Sequence, residues 1–285
     1  MAVSPPGPLS PASQNYAINT YRYVRLSIVV VVVTLLTSML WERAHATCWN
    51  GSLSAYYYTP VHAVFVAALA VIGVALVAVR GGTDWEEGFL NLSGFLAPVV
   101  AFVPTAYSAR DCPSATSVAE VKGGFQSNNL IAYALGGVIA LLVATVGRKV
   151  SKRTGKLLSL NVSVTVPVVL SASMFAAGLV WYQVSRTTFL LHAHSYSAIA
   201  MFVCAGVVMF LAGRNAIGKG NTRLGSLYIG CTGAMVVGAL IVIIAASVVS
   251  WSHKVLVLEL IELSVFMVYW FVQSIEYWDI GLSAG

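Results

Sequence analysis

The sequence predicts an all-α membrane protein, a polytopic helix bundle of about eight transmembrane helices with both termini on the inner side. Three observations carry that expectation. Of 285 residues, 58% are hydrophobic and only 9% charged, against about 25% charged in an ordinary soluble domain, so most of the surface must face something other than water. Apolar runs near or above the roughly 18 residues that can cross a bilayer recur along the chain. The basic residues sit in short segments between these runs, the pattern of cytoplasmic loops rather than of a groove that tracks phosphates. The net charge of +6 therefore does not point to nucleic acid.

Residues 1–20 are rich in Pro, Ser and small side chains without apolar period, and read as a disordered tail ahead of a transmembrane domain over 21–285. Arg22 and Arg25 precede the first apolar run, 26–41. That run has a second reading as a cleaved signal peptide, because Ala44-His45-Ala46 is a small-x-small site. The charged pair Glu42-Arg43 and the long tail before Arg22 stand against it. Ser52-Leu53-Ser54-Ala55-Tyr56-Tyr57-Tyr58-Thr59-Pro60-Val61-His62 closes the first outer loop and leads into the second run, 63–79. Thr83-Asp84-Trp85-Glu86 is a capping box that starts a third run over 89–105. Pro98 inside it should free a backbone carbonyl that a neighbour must satisfy.

A polar outer loop over 106–126 separates this from a fourth run, 129–147, which Arg148, Lys149, Lys152, Arg153 and Lys156 follow. The fifth run covers 160–184 and the sixth 195–213, with Arg214, Lys219 and Arg223 after it. In the seventh, 227–251, Gly230, Ala234 and Gly238 form a small-xxx-small ladder that admits a close helix, from this chain or from a partner in a homo- or hetero-oligomer. The eighth run is 255–275. With the N-terminus inside, eleven of the sixteen Lys and Arg residues fall on the inner side, which orients the bundle N-in, C-in. Cys48 and Cys112 both fall in outer loops, where an oxidising compartment favours a disulfide between them; the alternative is two free thiols too far apart to bridge. Cys204 and Cys231 lie inside apolar runs and read as small apolar fillers.

The candidate chemistry gathers at the outer side. Tyr56, Tyr57, Tyr58, His62, His194, Glu259 and Glu262 form the expected wall of a polar pocket opening outward. The plainer reading of the tyrosines is an interfacial aromatic belt. Glu259 and Glu262, three apart, share a helix face that continues through Phe266, Tyr269, Gln273 and Glu276. An ionisable residue inside a span is costly and points to function, although a packing hydrogen bond would also account for it. His62, His192 and His194 are weak metal-ligand candidates, for His192-Ala193-His194 lacks the spacing of a helical zinc motif. No phosphate loop, dinucleotide fingerprint or G-x-S-x-G elbow occurs, so no cofactor is expected. Asn50-Gly51-Ser52 matches a glycosylation sequon, a triplet frequent by chance.

The Ser52–His62 motif, with Phe65-Val66 and the Arg80-Gly81 exit after it, resembles a group of uncharacterised bacterial multi-span membrane proteins. The likeness returns at Asn91-Leu92-Ser93-Gly94, Pro104-Thr105, His194, Glu262, Phe266 and Trp270. Shorter members look like six-span proteins, from which this longer chain departs. A more distant similarity, to the alkaline ceramidase and progestin-type receptor superfamily, would imply a buried zinc and lipid amide hydrolysis. That superfamily carries H-x-x-x-H where this chain has His192-x-His194. Three functions remain open at this stage: binding or transport of a lipid or small polar molecule, a metal-dependent membrane hydrolase, and a structural or assembly subunit. Membrane lipid is the expected environment in all three.

Overall fold

The structure, a computed structural model, describes residues 11–105, 128–139 and 162–278. These are helical, with no strand among the described residues. In chain order they are α1 (Pro11–His45), a short 3-10 turn (Ser54–Tyr58), α2 (His62–Ala78) and α3 (Asp84–Phe102). They continue with α4 (Asn128–Ile139), α5 (Val162–Val184), α6 (Arg186–Gly218), α7 (Thr222–Val248) and α8 (Lys254–Glu276). The outer loop carrying Asp111 and Cys112, and the basic cluster from Arg148 to Lys156, lie outside the described residues.

Helix α1 is described from Pro11 onward, so the described part of the expected tail is helix. Among the described residues four helices are long and apolar enough to cross a membrane: residues Ile18–His45 of α1, and α6, α7 and α8. The expected eight are not all met on that measure. Helix α2 has 17 residues, about 26 Å at 1.5 Å each, short of a hydrocarbon core of about 30 Å. Helix α3 opens with Asp84, Glu86 and Glu87 in its first turn. Helices α4 and α5 are described over only part of their runs.

Six helices close into a ring. Each packs on the next in the order α1, α2, α3, α6, α7, α8, and α8 returns to α1. Helix α1 turns Ile28, Val32, Leu35 and Met39 inward, spaced three and four apart as one helix face requires. Helices α4 and α5 lie outside the ring. Helix α5 packs on α3 and α6, and Tyr133 of α4 donates its hydroxyl to the Phe95 carbonyl of α3.

Two glycine pairs set the tightest approaches in the ring. A Cβ on Gly73 would sit 2.8 Å from the Gly94 carbonyl, and one on Gly94 2.6 Å from that of Gly73. Pro98 has no N–H to give the Gly94 carbonyl, so this oxygen lies against α2 instead. Gly213 and Gly225 bring α6 and α7 together in the same way. The Gly230/Ala234/Gly238 ladder divides: Gly238 meets Ile261 of α8, whereas Gly230 faces open space and Ala234 is exposed.

The polarity of the molecule is inverted relative to a water-soluble fold. Val74 is 71% exposed and Ile244 62%, whereas Arg25 is 3% and Glu86 2% exposed. A surface of Val, Ile and Leu around a partly ionisable interior is stable in hydrocarbon and not in water. The chain is therefore a membrane-embedded, multi-pass helical protein.

Candidate functional site

The ring has two differently built ends. At the loop end, residues 46–61 fold over the C-terminus of α1 and the N-terminus of α8. The Leu256 N–H donates to the Gly51 carbonyl at 3.0 Å. The Leu53 N–H donates to Glu259 Oε2 at 2.6 Å. A ring nitrogen of His253 lies 3.3 Å from the Trp49 carbonyl. Cys48 is disulfide-bonded, and its expected partner Cys112 lies outside the described residues. Asn50 is buried, which makes it a poor glycan acceptor.

The tyrosine triplet and His62 belong to this cap rather than to a pocket wall. Tyr56 and Tyr57 are buried, and burial raises both hydroxyl pKa values. Tyr58 donates its hydroxyl to the Thr105 carbonyl at 2.7 Å, fixing the end of α3. His62 Nδ1 lies 2.9 Å from the Tyr57 carbonyl, and its ring meets that of Tyr57 edge-on at 4.1 Å.

His194 and Glu259 do converge on one space. Together with Ser54 and Ser93 they line a cavity of about 50 Å³ inside the ring, otherwise walled by groups such as Phe65, Phe202 and Phe266. That volume holds only a few waters at about 10–15 Å³ each. His194 is held by backbone: Nδ1 lies 2.7 Å from the Val103 carbonyl and 3.1 Å from that of Val100. Pro104 cannot donate to the Val100 carbonyl, so the histidine takes the place of a helical N–H. Carbonyls only accept, which puts the ring proton on Nδ1 and leaves Nε2 as an acceptor. Glu259 keeps its second carboxylate oxygen free of hydrogen bonds. The Ser54 hydroxyl pairs with Ser52 at 3.0 Å, so no relay joins Ser54 to His194. Glu262 is buried but makes no hydrogen bond and does not line this cavity. His45 and His192 are likewise separate, the first bonded to the Trp41 carbonyl and the second stacked on Tyr196. Among the described residues no three His, Cys, Asp or Glu side chains are placed to share a metal ion.

A second void, about 10 Å³, shares Leu76, Ser93, Ala205 and Phe266 with the first and adds Tyr269 and Trp270. The two voids form a column leading from the loop end towards the other, the arginine end. There Arg25 is buried within α1. Its Nη1 donates to Gln273 Oε1 at 2.8 Å and its Nη2 to the Tyr21 hydroxyl, while Nε has no partner. Its guanidinium lies over three rings, 4.4 Å from Tyr277, 4.6 Å from Tyr21 and 5.6 Å from Trp270. Gln273 passes the network on to the Tyr269 hydroxyl at 2.7 Å. Tyr21 reaches the Arg80 carbonyl, and Tyr228 of α7 donates to Glu276 Oε2 at 2.6 Å. Burial pushes the Tyr277 hydroxyl up to about 12, so it stays a neutral ring for the cation. Glu86, also buried, is held by the Gly82 N–H and the Thr83 hydroxyl in the expected capping box.

The sequence reading found the α8 side of this layer, Tyr269, Gln273 and Glu276, and missed what meets it. Arg25 stood as a marker of orientation and Glu86 as a cap. The available signal was register: Arg25 lies three and seven residues before Ile28 and Val32, on the buried face of α1. No protein-family model, curated protein or solved structure matches the chain.

Proposed function

We propose that this chain is an eight-span plasma-membrane protein whose six-helix ring binds a small molecule on its axis and passes it between the two sides. In the N-in, C-in orientation favoured by the basic residues, the loop end faces outward and the arginine end inward. The ring of six would correspond to the six-span proteins the sequence resembles, with α4 and α5 as the addition. Helix α1 supplies a full face of the core, which favours its retention over cleavage as a signal peptide.

The observation that carries this reading is the column. Two voids separate the His194/Glu259 layer from the Arg25/Gln273/Tyr269 layer, with Leu76, Ser93 and Phe266 between them. A ring serving only to pack has no need of unfilled space between two layers of ionisable and polar groups. Ionisable groups facing a membrane interior are costly and mark pathways. The outer cavity offers acceptors from Glu259 and His194 beside aromatic walls, which suits a small ligand with a hydrogen-bond donor on an apolar body. Its size fits a closed form of the ring, with neither end open, which must widen to admit that ligand.

The test is accessibility. Ser93 lines both voids. A Ser93→Cys chain with Cys204 and Cys231 replaced by alanine should react with small thiol reagents in membrane vesicles, and bound ligand should protect it. A Cys at 93 that never reacts, while one at Ser252 does, would sink the transport reading and leave a structural subunit.

A further inference from the structure

We propose that the space between the ring and the α4–α5 pair is a binding site for one acyl chain of a phospholipid from the surrounding bilayer. This inference is independent of the column. The cavity measures about 670 Å³ and lies between α3, α4, α5 and α6. For scale, about 150 Å³ is enough to hold benzene. It is not closed by small shifts of its walls: Gly178 faces it, and a Cβ there would have nothing within 4 Å.

Its contents follow from its lining. The space is a cleft partly open to the surroundings, and a cleft this large between membrane-embedded helices is filled by whatever surrounds it. Water is a poor occupant, because a buried water needs two to four polar partners. Polar side chains are the minority of the lining, and two of them are engaged elsewhere, the Tyr133 hydroxyl by the Phe95 carbonyl and the Trp181 Nε1 by Thr188, which leaves Gln183, Ser197, Tyr182 and Tyr196. The remaining wall is apolar and aromatic, with Phe95, Tyr133 and Phe175 in mutual edge and tilted contacts. A mainly apolar wall suits a mainly apolar occupant, and at this depth the matter at hand is lipid tail. The headgroup position fits as well. Trp181 and Tyr182 line the cavity near the C-terminus of α5, and Arg186 places its guanidinium 5.6 Å from the Tyr182 ring. An aromatic pair with a cation beside it matches a phosphate at the bilayer interface.

The experiment compares wild type, Gly178→Trp, Gly178→Leu and, as a control on an open face elsewhere, Gly230→Trp. Each is purified in detergent with extensive washing, and retained phospholipid per chain is measured by mass spectrometry. About one phospholipid should remain on wild type and on Gly230→Trp, and Gly178→Trp should retain at least fivefold less. Should Gly178→Trp fail to fold, Gly178→Leu should show a several-fold loss. A second readout uses phospholipid brominated on its acyl chain, which should quench Trp181 fluorescence, identified by difference from Trp181→Phe, in wild type and not in the filled variant. No retained phospholipid on wild type, retention of a free fatty acid in its place, or equal retention by the filled variants would each overturn the assignment.

Discussion

The two ends of the ring solve the same problem with different materials. Both must join α1 to α8 and hold down the neighbouring helices. At the loop end every joint involves backbone or a covalent bond: the Leu256 N–H to the Gly51 carbonyl, the Leu53 N–H to the Glu259 carboxylate, and the Cys48 disulfide. At the arginine end they run between side chains, from Arg25 to Gln273 and Tyr21 and from Tyr228 to Glu276. Backbone joints of a capped loop open only when the loop unfolds. Side-chain joints can break by rotamer changes while every helix stays intact. If one end of the ring opens during function, the arginine end is the one built for it.

The sharpest way to break that contrast is to remove Arg25. Its guanidinium has no carboxylate within ion-pairing distance among the described residues and rests on aromatic faces instead. Arg25→Ala strands Gln273 and leaves a space among three rings, and should cost about 3–5 kcal/mol in thermal unfolding in detergent. Arg25→Lys keeps the charge but cannot bond Gln273 and Tyr21 with one planar fork, and should cost roughly half as much. In the Ser93→Cys background Arg25→Lys should also speed labelling from the inner side. Unchanged labelling on both sides would remove Arg25 as the closure of that end.

Opening the covalent joint should cost next most. Cys48→Ser should lower stability by about 2–4 kcal/mol without changing inner-side labelling at position 93. Alkylation with and without reductant checks the pairing, with Cys48 and Cys112 expected to be released together. His194→Phe follows, at about 1–3 kcal/mol, because it leaves the Val100 and Val103 carbonyls without their donor. A His194→Phe variant as stable as wild type would mean that those carbonyls find another partner.

Composition alone dictated the class of the fold, because a chain this apolar must turn its hydrophobic residues outward. The capping box at Thr83 and the polar stripe of α8 were equally legible, since both depend on spacing within one helix. The closing of the ring was not, because it depends on which helices meet. That choice is fixed by pairs far apart in sequence, such as Gly73 with Gly94 and Arg25 with Gln273. The tyrosine triplet shows the same limit. Three hydroxyls at the mouth of a span look like a pocket wall, yet the loop curls so that two rings pack inward and the third hydroxyl caps α3. Nor does spacing reveal which of two glutamates one turn apart meets a donor. Glu259 does so only because Leu53 arrives from another segment.

That last pair yields the smallest and most discriminating expected effect. Glu259 and Glu262 lie one turn apart on α8, with similar chemistry and different company. Glu259 accepts the Leu53 N–H, so Glu259→Leu leaves a backbone donor unpaired under the loop and should cost about 1–3 kcal/mol. Glu262 is 7% exposed and has no hydrogen bond. Glu262→Leu therefore removes a desolvated polar group without stranding a partner, and should leave stability within about 1 kcal/mol of wild type, or raise it. Glu262→Gln should be closer still to wild type. Thermal unfolding of the three variants in one detergent decides the order. A Glu262→Leu chain that loses more than Glu259→Leu would show that depth in the membrane, not hydrogen bonding, governs the cost. Unchanged stability together with lost ligand protection at Ser93→Cys in both Glu262 variants would instead move Glu262 into the binding column. It would then have to turn towards the ring axis in a state other than the closed one.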